Sequence, residues 1–283
     1  AEPGPRPTAL IRRSRTYLSI RLRRKKTNGL TMDSGFSWHA AYYSELQSLY
    51  ALWLVPLAFL AWRAAVPVDI SRARVPEAAR FVSQLTLFFA VATMLDPLCT
   101  GPLANSQAIS GTFAATLILF FFVLLGDLRV LLLTIGVARP ERTWRQNLGW
   151  AGGTTLVVPV ATGLIYGTLN FLIDDLHSQA LWMIYESGFL MLCVTLSRQW
   201  LPRTLEGDPL ADAKTTYIRS IFGYSAVYYA LWLIADVFIA VADLDLGWAI
   251  RMVPNQLYYA FWVPFAYRGF FSVEAGVSGN AAR

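Results

Sequence analysis

The sequence predicts an all-α protein, a bundle of seven transmembrane helices with the N-terminus outside and the C-terminus in the cytoplasm. Of its 283 residues, 55% are hydrophobic and only 15% are charged, against about 25% charged residues in an ordinary soluble domain. The apolar residues lie in long runs, and the connections between these runs alternate between basic and acidic. Two cysteines are too few for a disulfide-stabilised fold, and the apolar content excludes a disordered chain.

The lengths of the apolar runs predict the number of spans. A run of about 18 to 25 apolar residues can cross the roughly 30 Å hydrocarbon core of a bilayer. The third run is long and continuous, so it is expected to tilt or to extend beyond the membrane. Pro97 and Pro102 interrupt the second run, which makes six spans the alternative count. The seven predicted spans are residues 46–65, 80–103, 109–137, 149–172, 178–198, 217–242 and 247–271.

The charges in the connections predict the orientation. Lys and Arg follow the first, third, fifth and seventh spans, whereas the alternate segments 33–45, 104–108, 173–177 and 243–246 contain neither. Cytoplasmic loops collect Lys and Arg. The residues that follow Met32 are therefore expected outside the cell, and the C-terminus inside.

A basic leader, residues 1–31, differs from the rest of the chain. It holds nine of the 24 Lys and Arg residues and one acid, Glu2, whereas the remainder has 15 bases and 17 acids. A basic segment outside the cell would contradict the positive-inside rule. We therefore expect translated upstream sequence, an organelle transit peptide or a disordered cytosolic tail. Since the excess positive charge is confined to this leader, no nucleic-acid partner is predicted.

Aromatic residues and glycines have predicted packing roles. Aromatic side chains near the predicted outer boundary, among them Tyr42, Trp182 and Tyr185, are expected to be interfacial anchors. The fourth span has two small-xxx-small pairs, which allow close approach to another span or another subunit. Packing within the bundle is the favoured interpretation. The pairs are Gly149 with Gly153 and Gly163 with Gly167.

Six ionisable residues lie within the predicted spans, where such groups are costly and usually face the bundle interior. Four are acids and two are bases, so even complete pairing leaves two carboxylates without a cation. A buried unpaired carboxylate binds a proton, coordinates a cation or faces a water-filled cavity. The alternative is a structural role, in which it is hydrogen-bonded and holds helices together. The six are Asp96, Asp127, Arg129, Glu186, Asp236 and Arg251.

Helical spacing predicts how these groups are arranged. Asp127 and Arg129 are two residues apart and point in different directions, so each needs a partner on another span. Arg251 lies at a depth that reaches Asp236 or Glu186. The seventh span carries it in one polar and aromatic stripe, Arg251, Asn255, Tyr258 and Trp262. We therefore predict an outward-opening cavity between the second, fifth, sixth and seventh spans. The candidate transport or ligand cluster is Asp96, Asp127, Arg129, Glu186, Asp236, Arg251, Asn255 and Tyr258.

Several membrane chemistries lack the residues that they require. A retinal Schiff base needs a lysine within a span, and none of the three lysines lies in one. Haem ligation or zinc hydrolysis needs several inward histidines, whereas His39 and His177 are both predicted at the outer surface. Cys99 and Cys193 lie on different spans and are expected to be buried free thiols. No cofactor and no metal site is predicted.

The leading functional hypothesis is a transporter or channel-like protein that moves protons or a small cationic or polar solute through the outward cavity. The acids would be its protonatable or coordinating groups, and the two arginines their switchable partners. Two alternatives stay open, a seven-helix sensor or receptor without retinal and an accessory subunit of a larger membrane complex; an enzyme is less favoured. The expected partners are the lipid bilayer and either other membrane subunits or further copies of the chain. The expected location is the bacterial inner (plasma) membrane.

Overall fold

The structure, a computed structural model, describes residues 36–66 and 75–280, and the side chains among them as far as Val273. Within these ranges the chain is helical and contains no strand. The described residues from Ser37 onward belong to one compact unit. The predicted leader, residues 1–31, lies outside the described residues, so the expectations for it stay untested.

A short helix precedes seven longer ones in the described part of the chain. Six of these, α2 to α7, are long and apolar enough to cross a membrane. The helices are α1 (Trp38–Tyr42), α2 (Leu46–Ala65), α3 (Pro76–Leu103), α4 (Phe113–Ala138), α5 (Trp144–Leu172), α6 (Gln179–Thr204), α7 (Ala211–Ala240) and α8, which consists of the consecutive segments Leu246–Asn255, Gln256–Phe261 and Trp262–Asn280.

The seven predicted spans fall on α2 to α8 in order. The predicted bounds agree for α2 and are too short for α5, which begins at Trp144. There Thr143 forms a capping box with Gln146, in which each side chain accepts a hydrogen bond from the other's backbone N–H. Helix α8 lies where the seventh span was predicted, but polar residues such as Arg251 and Asn255 occupy its first part. It is not among the six apolar helices.

Helix α4 is the central helix over its second half. Gly126, Asp127 and all residues from Arg129 to Ala138 are buried, including four consecutive apolar residues, 130–133. A helix that is buried all round has neighbours on every side, and α4 packs against α3, α5 and α7. Leu117, Phe120 and Phe121 in its first half are exposed instead. The helices are therefore packed tightly at one end and less tightly toward α1.

The glycine pairs of α5 do not pack within the bundle. A Cβ atom added at any of the four would meet no atom within 4 Å outside its own helical turn. The face that α5 buries carries a different set of residues, Asn147, Ala151, Thr155, Val158 and Thr162. The favoured interpretation, packing of these glycines within the bundle, is wrong, because helical spacing places them on the opposite face. Their packing against another subunit stays a prediction.

An ion pair fixes the loop between α6 and α7. Lys214 Nζ lies 2.6 Å from Asp208 Oδ2, and the backbone N–H of Leu210 donates to Asp208 Oδ1 at 2.7 Å. Although partial burial opposes it, these two hydrogen bonds hold the pKa of Asp208 below its usual value. The carboxylate is therefore charged at neutral pH, and it anchors the first turn of α7.

Candidate functional site

A cavity of about 150 Å³ lies between α4, α6, α7 and α8, at the end of the bundle where α1 is found. One water needs about 10–15 Å³ measured in this way, so the space suits a small solute. We call it the central cavity. The prediction named the second span, but no described residue of α3 lines it, and α4 takes that place. It is lined by Tyr42, Val123, Asp127, Trp182, Tyr185, Glu186, Tyr229, Trp232, Arg251, Asn255, Tyr258 and Tyr259.

Arg251 brings two carboxylates together at the α1 end of the cavity. Its Nη1 atom contacts Oδ1 of Asp236, and its Nη2 atom lies 4.0 Å from Oε1 of Glu186. Gln179 also donates to Oδ1 of Asp236, at 3.2 Å. The predicted encounter of Arg251 with Asp236 or Glu186 is thus present, since all three groups lie at the same depth on neighbouring helices.

Glu186 has one carboxylate oxygen without a partner. The residue is 3% exposed and lines the cavity, and its Oε2 atom has no hydrogen-bond donor among the described residues. Asp236 is fully buried, and its Oδ2 atom likewise has no donor among the described residues, but its Oδ1 atom contacts the guanidinium of Arg251 and the residue does not line the cavity. A buried carboxylate oxygen without a donor is unfavourable by about 1–3 kcal/mol or more. Glu186 is therefore the place in the cavity where a proton, a cation or a polar solute gains most by binding.

Asp127 is surrounded by tyrosine hydroxyls from three helices. Tyr185 of α6 donates to Oδ2, Tyr229 of α7 donates to Oδ1, and the Tyr258 hydroxyl of α8 lies 3.4 Å from Oδ1. The aspartate is 2% exposed. These hydroxyls replace the water that the carboxylate loses on burial. Asp127 thus links α4 to three other helices at the deep end of the cavity.

Arg129 has partners on other helices, as its spacing from Asp127 predicted. Its Nη2 atom donates to the backbone carbonyl of Tyr258 at 2.5 Å, and Nη1 lies 3.4 Å from Oγ1 of Thr93. The guanidinium carbon lies 4.2 Å from the ring centre of Tyr258 and 4.6 Å from that of Trp262, within cation–π range. No carboxylate lies within 4 Å of it in the described part of the chain.

The carbonyl that receives Arg129 belongs to a π-helical segment. Residues Gln256–Phe261 form this segment, and the hydroxyl of Tyr224 donates to the neighbouring carbonyl of Leu257 at 2.9 Å. A π-helical turn departs from the regular i to i−4 hydrogen bonding and is frequent at functional sites. Two consecutive carbonyls of α8 are thereby engaged by side chains of α4 and α7.

Asp96 lies apart from the central cavity. It is 6% exposed, and Thr100 Oγ1 lies 3.2 Å from its Oδ1 atom. Together with Arg129 it lines a small side cavity of about 10 Å³, the volume of about one water. The eight residues of the predicted cluster therefore fall into three groups. Asp127, Glu186, Arg251, Asn255 and Tyr258 line the central cavity, Asp236 contacts Arg251, and Asp96 and Arg129 line the side cavity.

Helix α1 lies against the start of α8. The carboxylate of Asp245 accepts hydrogen bonds from the backbone N–H groups of Trp38 at 2.6 Å and His39 at 3.1 Å. The ring of Tyr42 packs on Trp248, with centroids 5.2 Å apart. Ser37 is the N-cap of this helix, and its hydroxyl accepts from the backbone N–H of Ala40. Sequence analysis missed the helix because five residues are too few to show a period, and because the carboxylate that accepts from its first two N–H groups lies some 200 positions away.

Tyr42 separates the central cavity from a larger one. Its hydroxyl lies 3.3 Å from Arg251 Nε and accepts a hydrogen bond from Asn255 Nδ2 at 3.1 Å. A cavity of about 680 Å³ on its other side shares with the central cavity the lining residues Tyr42, Asn255 and Tyr259. Tyr42, Asn255 and Tyr259 therefore border both spaces.

Some of the aromatic residues expected to be interfacial anchors line the central cavity instead, among them Tyr42, Trp182 and Tyr185. Depth in the membrane does not distinguish the two roles, because anchors and cavity residues lie at the same level. Register does distinguish them, since Trp182, Tyr185 and Glu186 are spaced i, i+3 and i+4 and share one face of α6. That spacing was the signal available in the sequence.

Replacing Gly126 with alanine is expected to destabilise the protein by about 1–3 kcal/mol. The added Cβ would clash with the hydroxyl of Tyr258, and Arg129 and Asp127 hold that ring on its other sides. Thermal unfolding of the purified protein in detergent measures the effect. Gly163→Ala on α5 is the control, since its Cβ meets open space and alanine favours a helix by up to about 1 kcal/mol. Equal melting temperatures for the two variants would contradict the close packing at Gly126.

Comparison with family models, curated proteins and solved structures gives no significant match. Within residues 36–66 and 75–280, no group of three or more His, Cys, Asp or Glu side chains is placed to hold a metal ion. The function has to be argued from the chemistry of the central cavity.

Proposed function

We propose that this chain is a membrane transporter or channel-like protein that moves protons or a small cationic or polar solute through the central cavity. In this proposal α8 is a seventh span, the α1 end faces outward, and the membrane is the bacterial inner membrane. The charges support that orientation, because Lys and Arg lie in or beside the connections that follow α2, α4 and α6: Arg63, Arg139, Arg142, Arg203 and Lys214.

The observation that carries the proposal is the open carboxylate oxygen of Glu186. The central cavity contains or contacts three carboxylates, those of Asp127, Glu186 and Asp236, against the single guanidinium of Arg251. Asp236 already forms an ion pair with that guanidinium, and tyrosine hydroxyls donate hydrogen bonds to Asp127. Glu186 Oε2 and Asp236 Oδ2 both lack a donor among the described residues, and of these two residues Glu186 is the one that lines the cavity. Buried acids inside a membrane bundle typically mark the path of an ion or proton.

A second cavity lies on the other side of a thin barrier. A space of about 80 Å³ at the opposite end of the bundle is lined by Leu131 and Phe222 among others. Leu131 lies four residues beyond Asp127 on α4, and Phe222 seven residues from Tyr229 on α7. At 1.5 Å per residue these separations are about 6 Å and 10 Å. A short packed barrier between two cavities supports alternating access, in which one site opens to each side in turn.

The two arginines can exchange their carboxylate partners during alternating access. Arg251 lies between Asp236 and Glu186, so a proton or cation that neutralises one carboxylate leaves the guanidinium to the other. Arg129 is held by a backbone carbonyl and two rings, none of which is charged. It is therefore available to a carboxylate such as Asp96, which faces the same side cavity.

Replacing Glu186 with glutamine is expected to reduce cation entry at least about tenfold. The amide keeps the shape of the side chain but removes the charge, and hydrogen bonds to charged groups contribute about 1.5–3 kcal/mol. The full chain is reconstituted in liposomes that carry an inside-negative potential. A voltage-sensitive dye then reports the entry of any cation, protons included.

The matched control is Glu206→Gln, since Glu206 is exposed in the loop after α6. The control variant is expected to retain wild-type flux, and both variants should elute as single folded species. If the wild type moves no charge, transport of protons or cations fails and only a neutral polar solute remains. If Glu186→Gln equals Glu206→Gln, Glu186 is not the group that transport depends on. Ligand binding without flux would favour a receptor.

A further inference from the structure

The lining of the central cavity combines negative charge with aromatic rings. Seven of its twelve described lining residues are Tyr or Trp. Trp182 lies one helical turn before Glu186 on α6, so the two side chains share one face. The indole of Trp232 is fixed by donating to Asn255 Oδ1 at 2.8 Å. Ring faces attract cations through their quadrupole, and carboxylates attract them by charge.

We infer that the central cavity takes a small monovalent organic ammonium ion, with its charged nitrogen beside Glu186 and its alkyl groups against Trp182 and Trp232. This inference rests on the proposed function, whose solute class it specifies. The volume of about 150 Å³ is roughly ten times the space that one water needs, which accommodates such an ion.

An inorganic cation fits this lining less well. Metal ions such as Mg²⁺ and Ca²⁺ require about six or more oxygen ligands, and the described residues offer no group of three candidate ligands. The hydroxyls of Tyr185 and Tyr229 already donate to Asp127. Only the lone pairs of these two hydroxyl oxygens would remain to bind a metal ion, and the aromatic rings supply no oxygen ligand. The cavity instead offers apolar surface that only an organic ion can use.

An anion or a zwitterion is also disfavoured. The cationic group that would receive a carboxylate is Arg251, and Asp236 occupies its Nη1 atom. Glu186 lies at 4.0 Å from the same guanidinium, so a substrate carboxylate would meet two negative charges there. A second positive charge on the solute would approach Arg251 itself, which favours a monovalent ion.

The test is a calorimetric titration of the full-length protein in nanodiscs with methylammonium, tetramethylammonium and choline chlorides. At least one of these ions is expected to bind. The uncharged tert-butyl analogue of choline, in which carbon replaces nitrogen, should bind at least about tenfold more weakly than choline because it has no charge for Glu186. Sodium chloride at equal ionic strength should not displace the bound ion.

Removing the ring of Trp182 provides a second measurement. Trp182→Leu is expected to weaken binding about three- to thirtyfold, and Trp182→Phe should weaken it less, because phenylalanine retains a smaller π face. The matched control is Trp144→Leu, since Trp144 lies at the start of α5, is 52% exposed and lines neither the central cavity nor the cavity at the opposite end. If Trp182→Leu fails to fold, the comparison of charged and uncharged ligands on the wild type decides alone.

The outcomes separate this inference from the proposal on which it rests. Cation flux together with no binding by any of the three ammonium ions overturns the inference and leaves transport standing. Ammonium binding without flux overturns transport and leaves the binding site standing. Equal affinity for choline and its uncharged analogue, or displacement by sodium, also overturns the inference.

Discussion

Replacing Arg251 with glutamine is expected to destabilise the protein by about 3–5 kcal/mol, because the variant leaves buried carboxylates without their cation. Asp236 is fully buried and contacts Nη1, and Glu186 is 3% exposed and lies 4.0 Å from Nη2. Tyr42 would also lose its contact with Arg251 Nε. Reversible denaturation in detergent measures the free energy of unfolding.

A second substitution tests the electrostatic cause. Adding Asp236→Asn to Arg251→Gln removes the uncompensated charge, so the double variant is expected to regain more than half of the lost stability. Arg219→Gln is the control, because Arg219 is exposed on α7 and its replacement should change stability by less than about 0.5 kcal/mol. If Arg251→Gln is as stable as this control, the ion pair does not stabilise the folded state.

The burial of the acids was predictable from their positions along the chain. A charge in the middle of an apolar run must face the bundle interior, and Asp96, Asp127, Glu186 and Asp236 are all buried. The meeting of Arg251 with Asp236 followed from their similar depth and from the short connection between α7 and α8, which makes these two helices neighbours. Local sequence thus determines depth, and short loops determine adjacency.

The arrangement of distant helices around the bundle was not predictable. The predicted cavity included the second span, which carries Asp96, but no described residue of α3 borders the central cavity, and α4 does. No residue in the sequence specifies which of seven helices stands at the centre. The order follows from packing, in which the apolar second half of α4 is surrounded and the glycine face of α5 is left outside.

The atoms that the buried polar groups contact could not be predicted from the sequence either. Arg129 was expected to find an acceptor on another helix, and it found the carbonyl of Tyr258 in a π-helical segment. Departures from regular helical hydrogen bonding leave no reliable pattern in one sequence. Tyr185 carried a usable signal, since its spacing from Glu186 places both on one face of α6.

Replacing Asp127 with leucine is expected to destabilise the protein by about 3 kcal/mol or more, because two buried hydroxyls and one part-buried hydroxyl lose the same acceptor. Each unsatisfied buried polar group is unfavourable by about 1–3 kcal/mol. The hydroxyls belong to Tyr185, Tyr229 and Tyr258, on three different helices. Asp127→Asn retains one acceptor oxygen, so it should fold, and it should lose cation entry in the liposome assay if the deep end of the cavity carries charge.

Tyr229→Phe isolates one of these hydrogen bonds. It removes a donor and leaves the acceptor with two others, so its expected effect is about 1 kcal/mol. In a double-mutant cycle, Asp127→Leu should destabilise a Tyr229→Phe background less than it destabilises the wild type, because one fewer hydroxyl is left unpaired. Additive effects in the cycle would mean that the hydroxyl of Tyr229 does not depend on Asp127. In that case the carboxylate would not be the group that joins α4 to α7 at the deep end of the cavity.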